Sequence, residues 1–396
     1  MTPLPNMAAA SPQPGGSKIV TYHFNSDNGA PVCDQVMSAL LSCNQGTETA
    51  YGADRFTAKL APTYSEFFER EAFVFPVATG TAGNGLALGA ITPPYGTIFC
   101  HESAHIVTTE GGAPEFYSGG GRMTLLRGKH NKITPTDLDK SLRKHGIGNV
   151  HHMAASAISL TQATEAGVVY ERDELTELAE IAHKAGLKVH LDGARISNAI
   201  ARLGVTPAEI TWKAGIDILT FGTTKNGTMN AEAVITFDRE TACILGFMHK
   251  RAGHLFSKTR FMSAQLISYL ENDLWRSNAI QANRNASRIE TALKRCEGVT
   301  FAHPVQINEV FVILPPRLSR ALREKGINLR SWELGGDGDG FRLVMSYCDK
   351  PEDIELFEQI CHEDAASENV GRETLTPTQL GSDQQTVPMA RPQFRK

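Results

Sequence analysis

Nowhere does the 396-residue chain carry an apolar run approaching the roughly 20 residues that a bilayer-crossing helix needs. Its first 18 residues, Met1 to Lys18, hold Pro, Ala, Ser and Gly. They lack the long apolar core of a secretory signal and the arginines of a transit peptide, and they read as a loose leader. Cysteine is sparse: Cys33, Cys43, Cys100, Cys243, Cys296, Cys348 and Cys361 lie far apart, are odd in number and form no C-x-x-C pair. That argues against a disulfide-stapled secreted scaffold and fits a reduced, cytoplasmic protein. One-sided charge is also missing. The formal net charge is −4 and the basic residues are scattered, so neither a nucleic-acid nor a membrane partner is expected.

What is present is ample apolar material. Hydrophobic residues make up 41% of the chain, enough for one large domain and a smaller one. Strand and helix signals alternate. Phe73 to Val77, Val150 to Leu160, Leu187 to Leu191 and Ile216 to Phe221 read as strands. Between them, Leu175, Leu178, Ile181 and Ala182 recur at helical spacing behind acidic Glu171, Asp173 and Glu174, and Gly186 stands where a helix-ending glycine belongs. Such repetition predicts an α/β fold with right-handed crossovers and a mostly parallel sheet. The expected division is a leader over 1–18, a large domain over 19–277 with its N-terminal segment, a small domain over 278–364 with strands at Val310 to Leu314 and Phe341 to Ser346, and a disordered tail over 365–396.

Four constellations carry chemistry. In LKVHLDGAR a buried strand ends at Asp192. Ligands of parallel sheets gather at the carboxyl ends of strands, and a carboxylate there can hold a protonated pyridine nitrogen. An ordinary helix cap is the bland use of the same residue. In IDILTFGTTKNG an apolar strand delivers Lys225 into a loop with Gly222, Thr223, Thr224 and Gly227. A lysine so placed can form a Schiff base, although most lysines are simply solvated. In ATGTAGNGLAL the glycine loop around Gly80 and Thr81 opens a helix, whose free N–H groups make an anion site. Its spacing matches neither G-x-G-x-x-G nor a P-loop. The fourth, HESAH at His101 to His105, has the zinc-protease spelling. That motif needs a helix to turn both histidines to one metal. A strand-like TIFC before it and β-branched residues after it are poor helix context, so a zinc hydrolase is a remote alternative and no metal site is expected. His105 stacked on an aromatic cofactor suits the string better.

Together these residues resemble the threonine-aldolase family, of the low-specificity L-threonine and phenylserine type, within the fold-type I pyridoxal-phosphate enzymes. The match is collinear from about Phe24 to Tyr347. Its sharpest parts are DGAR at Asp192, the lysine of TKNG, the G-T-x-x-N loop and the histidine that follows Gly80. The resemblance implies a large domain with a mostly parallel seven-stranded sheet and a smaller α/β C-terminal domain. It implies pyridoxal 5'-phosphate on Lys225, with Asp192 at the ring nitrogen, His105 on the ring, and Gly80 and Thr81 in the phosphate cup. Arg195 and Arg342 correspond to arginines near the substrate carboxylate and cofactor, Ser26 to a serine on that carboxylate, and Tyr51 to a tyrosine near the site. Lys258 or Arg260 corresponds to a cationic phosphate contact. Thr164 stands where some members carry a second histidine, which leaves the base open between His105 and a water held by Glu110. The implied reaction is cleavage of an L-β-hydroxy-α-amino acid to glycine and an aldehyde. β-Elimination and transamination use the same lysine, aspartate and cup and remain alternatives. A homodimer or homotetramer with sites near the subunit interface is implied as well.

Overall fold

The computed structural model describes residues 22–334 and 339–373. Seven strands form the central sheet: β1 (Phe73–Val77), β2 (Gly96–His101), β3 (Arg122–Leu126), β4 (Ala154–Thr161), β5 (Lys188–Gly193), β6 (Ile218–Phe221) and β7 (Glu232–Thr236). Their order across the sheet is β1-β7-β6-β5-β4-β2-β3, and β7 alone runs antiparallel to its neighbours. Both faces are covered by helices, so the central strands read as continuous apolar runs rather than alternating ones. Ile218, Leu219 and Phe221 of β6 and Ala233, Val234 and Ile235 of β7 are all buried.

The crossovers obey local rules. Thr79 caps helix α1 (Gly80–Ile91), its Oγ1 accepting the Ala82 amide at 3.1 Å. Helix α2 (Arg172–Lys184) starts where the acidic cluster predicts, with the Glu171 amide donating to Glu174 Oε2 at 2.7 Å. Gly186 follows it at φ +79°. One expected strand start moves. The strand over Val150 to Leu160 begins only at Ala154, because 149–152 form a turn that leaves Val150 exposed.

The small domain packs an antiparallel pair, β8 (Glu309–Leu314) and β9 (Asp339–Val344), under helix α3 (Leu274–Leu293) and helix α4 (Pro351–Glu373). Its core gathers Ile289, Leu293, Val310, Val312, Leu343 and Phe357. Three expected boundaries change. Phe24 belongs to this core, not to the large domain, and its ring meets Phe357 edge-on at 6.0 Å. The division at 277/278 falls inside the continuous helix α3, whose Trp275 packs in the large core and whose Ile289 packs in the small one. The tail expected from Ala365 is helical as far as Glu373, since α4 runs on. The leader over 1–18 and the rest of the tail lie outside the described residues. No helix among the described residues is long and apolar enough to cross a membrane.

Candidate active site

Sheet register builds the floor of the site. Thr161 of β4 stands beside Asp192 of β5, and Asp192 stands beside Thr220 of β6. Three strand ends thus present one row of polar side chains. Because β7 runs the other way, its first residue, Glu232, arrives at the same edge beside Val77 of β1. The row floors a cavity of about 280 Å³, lined also by Gly80, Thr81, Asn84, His105, Glu110, Thr164, Glu165, Arg195 and Lys225. Larger surface hollows near Asp34 and Lys59, and along Arg122 to Leu125, gather no comparable set.

Lys225 sits in a tight loop, Thr224–Asn226. Glu232 holds the loop's entry, its Oε2 accepting the Thr223 amide at 2.8 Å. Asn226 anchors its exit, donating to Tyr269 Oη and to the Trp275 carbonyl at 2.7 Å each. Gly222 is needed on steric grounds: a Cβ there would fall 2.6 Å from the Ala194 carbonyl oxygen. Burial lifts the Glu232 carboxyl above its usual range, with the Thr224 hydroxyl and the Thr223 amide opposing.

Asp192 is 2% exposed and fully engaged. Its Oδ1 accepts the Ala194 amide at 3.0 Å and its Oδ2 accepts Asn84 Nδ2 at 2.8 Å. The same nitrogen of Asn84 donates to Glu110 Oε1 at 2.8 Å, and that oxygen also bonds His105 Nδ1 at 2.8 Å. The Glu110 bond holds His105 above the usual histidine value although burial opposes it. Burial pushes Glu110 itself upward. Glu165 completes this wall: its Oε1 accepts the His105 amide at 2.8 Å and the Thr161 hydroxyl at 3.1 Å. Thr164 is buried and donates to the His130 carbonyl at 2.9 Å, so its hydroxyl proton is committed.

Arg195 lines the cavity, but its guanidinium is already gripped. It donates to both oxygens of buried Asp27, at 2.7 and 2.9 Å, and lies 3.3 Å from Glu309. Burial opposes its charge, and Asp27 and then Glu309 more than restore it. In return, Arg195 holds the Asp27 carboxyl below its usual range against the effect of burial. Arg195 thus positions the 27–28 segment rather than offering a free fork.

Five expected residues are not brought to this cavity. Ser26 caps the short turn Asp27–Gly29, accepting the Asn28 amide at 3.2 Å, although Asn28 itself does line the cavity. Tyr51 is exposed, at φ +58°, with the Lys250 ammonium over its ring at 4.4 Å. Lys258 is exposed. Arg260 stacks on Phe261 and touches the Gly46 carbonyl at 3.4 Å. Arg342 lies over Trp332 at 4.4 Å and donates to the Asn25 carbonyl at 3.3 Å. Its buried Nε has no partner among the described residues, and burial lowers its pKa. The HESAH histidines part company: His101 ends β2 and bonds the Gly128 carbonyl, whereas His105 opens a four-residue helix. No metal-holding cluster exists among the described residues.

Asn84, Glu165, Asp27, Glu232 and Glu309 were not foreseen as site residues. Asn84 had a signal, as the asparagine of G-T-x-x-N one turn into α1. The carboxylates had none, since only chain topology brings them together.

The donor set fits pyridoxal phosphate. The lysine and the anchored aspartate share one cavity. At its rim the first turn of α1 leaves backbone N–H groups free, and a Cβ on Gly80 would meet nothing within 4 Å. Thr224, next to the lysine, lines the same cavity. Fold and cavity define a fold-type I pyridoxal-phosphate enzyme.

A family model for beta-eliminating lyases matches residues 23–315. The chain is 39% identical to a low-specificity L-threonine aldolase of Pseudomonas aeruginosa over 344 residues, 87% of this chain and 97% of that protein. It is 41% identical to one from Pseudomonas sp. over 327 residues, 83% and 93% respectively. A solved threonine aldolase of Leishmania major superposes with a TM-score of 0.81 at 24% identity, covering 87% of this chain and 99% of that one. The chain belongs to the beta-eliminating lyase family, on the branch of the low-specificity L-threonine aldolases.

Proposed function

We propose that the protein cleaves L-threonine or related L-β-hydroxy-α-amino acids, such as phenylserine, to glycine and an aldehyde. The observation that carries this reading is the placement of Lys225 and the Asn84-anchored Asp192 in one cavity whose rim is the N-terminus of α1. When bound, pyridoxal phosphate supplies the electron sink for the pair released at Cα. Lys225 would hold it covalently, Gly80, Thr81 and Thr224 would hold its phosphate, and His105 would stack on its ring. Asp192 keeps a proton on the ring nitrogen, because a fixed anion there stabilises the protonated form. Arg342 stands outside the cavity with its Nε unpartnered among the described residues, so it would grip the substrate carboxylate only after moving in from Trp332. The Arg195–Asp27 pair fixes the segment that carries Asn28 into the cavity.

All seven cysteines are free, which supports action in the reducing cytoplasm. We further propose a homodimer or homotetramer whose interface lies beside the site, where exposed Tyr51 and Met229 would be covered. Light scattering tests that assembly.

Incubation of the loaded protein with L-threonine or L-phenylserine is expected to yield glycine plus aldehyde. Appearance of a keto acid instead would replace the aldolase reading by β-elimination or transamination. Lys225→Ala is expected to abolish both the visible absorbance of the bound cofactor and turnover; an active, coloured variant would end the proposal.

A further inference from the structure

The aldolase reading needs a group that takes the proton of the substrate's β-hydroxyl, and the two groups first considered are poorly placed. His105 Nδ1 is committed to Glu110, and the ring itself is assigned above to stacking on the cofactor. Glu110 has no exposed side-chain surface, and its Oε1 is shared between His105 and Asn84.

Glu165 shares with Glu110 a place on the cavity wall and a buried, unpartnered Oε2, but it is half-buried as a residue where Glu110 is buried. Glu165 lines the cavity that contains Lys225 and Asp192. Its Oε1 is fixed by the His105 amide and the Thr161 hydroxyl, so the carboxyl plane is set. Its Oε2 is buried and has no partner among the described residues. A buried carboxyl oxygen without a partner costs about 1–3 kcal/mol unless something occupies its lone pairs, so its retention beside a substrate pocket calls for a ligand.

We propose that Glu165 is the catalytic base of the cleavage, resting on the aldolase reading above. Its Oε2 takes the proton from the β-hydroxyl oxygen. The O–H electron pair becomes the second bond of the new C=O as Cα–Cβ breaks, and the Cα–Cβ pair stays on Cα. The aldehyde leaves, and Cα takes up one proton to give glycine. Substrate atoms are conserved between the two products. The charges facing Glu165 suit the task. Burial lifts its carboxyl to about 7, and nearby Asp192 adds to the rise, while the backbone amides, that of His105 included, and the Thr161 hydroxyl oppose it. Cys100 and Tyr170 are the other titratable groups that sense it. A base with a pKa near the working pH is the efficient choice.

The test compares wild type with Glu165→Gln, which keeps an acceptor for the His105 amide and the Thr161 hydroxyl. Visible absorbance reports cofactor loading, phenylserine cleavage reports the full reaction, and exchange of the glycine α-hydrogen with deuterium, followed by NMR, reports Cα chemistry that involves no hydroxyl. The expected result is retained absorbance, cleavage reduced by ~10²-fold or more, and exchange reduced by no more than a few-fold. The wild-type kcat should rise with pH through about 7, as the carboxylate forms, and the variant should lack that rise. Cleavage within a few-fold of wild type overturns the assignment, and so does an equal loss of cleavage and exchange. Should Glu165→Gln not fold, Glu165→Asp is read instead: a slower enzyme that keeps the pH-dependent rise supports the role, and loss of that rise refutes it. A wild-type protein that exchanges glycine but cleaves no β-hydroxy amino acid sinks the aldolase reading itself, an outcome distinct from either variant result.

Discussion

Asn84 joins two buried acids of the site through a single nitrogen. One amide nitrogen donates at 2.8 Å to Glu110 and to Asp192, so it ties the histidine side of the cavity to the ring-nitrogen side. Asn84→Leu removes the donor from two buried acceptors. We expect a loss of ~1–3 kcal/mol in unfolding free energy and weaker cofactor retention, measurable by chemical denaturation and by dialysis against buffer. Asp192→Asn keeps the shape but not the charge; kcat should fall ~10²-fold or more with the fold intact by circular dichroism. Asp27 supplies a pH signature. Its folded pKa lies below the ordinary 3.8, so its stabilising effect is fully present above that value and disappears as pH falls through the lower folded one. Urea midpoints measured across the acid range should therefore drop steeply for wild type and less steeply for Asp27→Asn. Lys225 and Asp192 were legible in the sequence because one follows and the other closes an apolar strand in a recognisable string. Asp27 and Glu165 were not, because a lone carboxylate beside a serine or a threonine looks like any surface acid until strands separated by many residues are laid side by side.

Among the elements, β1 was legible to the residue, because turn signals bound its apolar run. Helix α2 was legible from its acidic cap and closing glycine. The start of β4 was misplaced, because Val150 to Met153 is apolar and histidine-rich yet folds as a turn, and hydrophobicity alone does not separate those states. The β6–Lys225 junction makes the sharpest prediction at this scale. A Cβ on Gly222 would meet three backbone atoms of Ala194 at 2.6–2.8 Å, and backbone has nowhere to go. Gly222→Ala should cost ~1–3 kcal/mol and displace the lysine loop, seen as a lowered Tm and a weakened or shifted cofactor absorbance.

At the scale of the molecule, the fold class followed from alternation and resemblance, while the elements at both ends of the C-terminal core escaped. Phe24 precedes the large domain in sequence and still packs against Phe357, a pairing that no local pattern announces. Removing α4 would strip Ile354, Phe357 and Ile360 from the small core. A chain ending at residue 350 should accordingly be insoluble or rapidly cut by protease where the full chain resists. Helix α3 has a mechanical corollary. Its 20 residues span about 30 Å as an uninterrupted rod, with one end planted in each core. A rod embedded at both ends transmits force instead of flexing. Any movement of one core against the other would therefore be felt at the lysine loop, because the Trp275 carbonyl accepts from Asn226, the neighbour of Lys225.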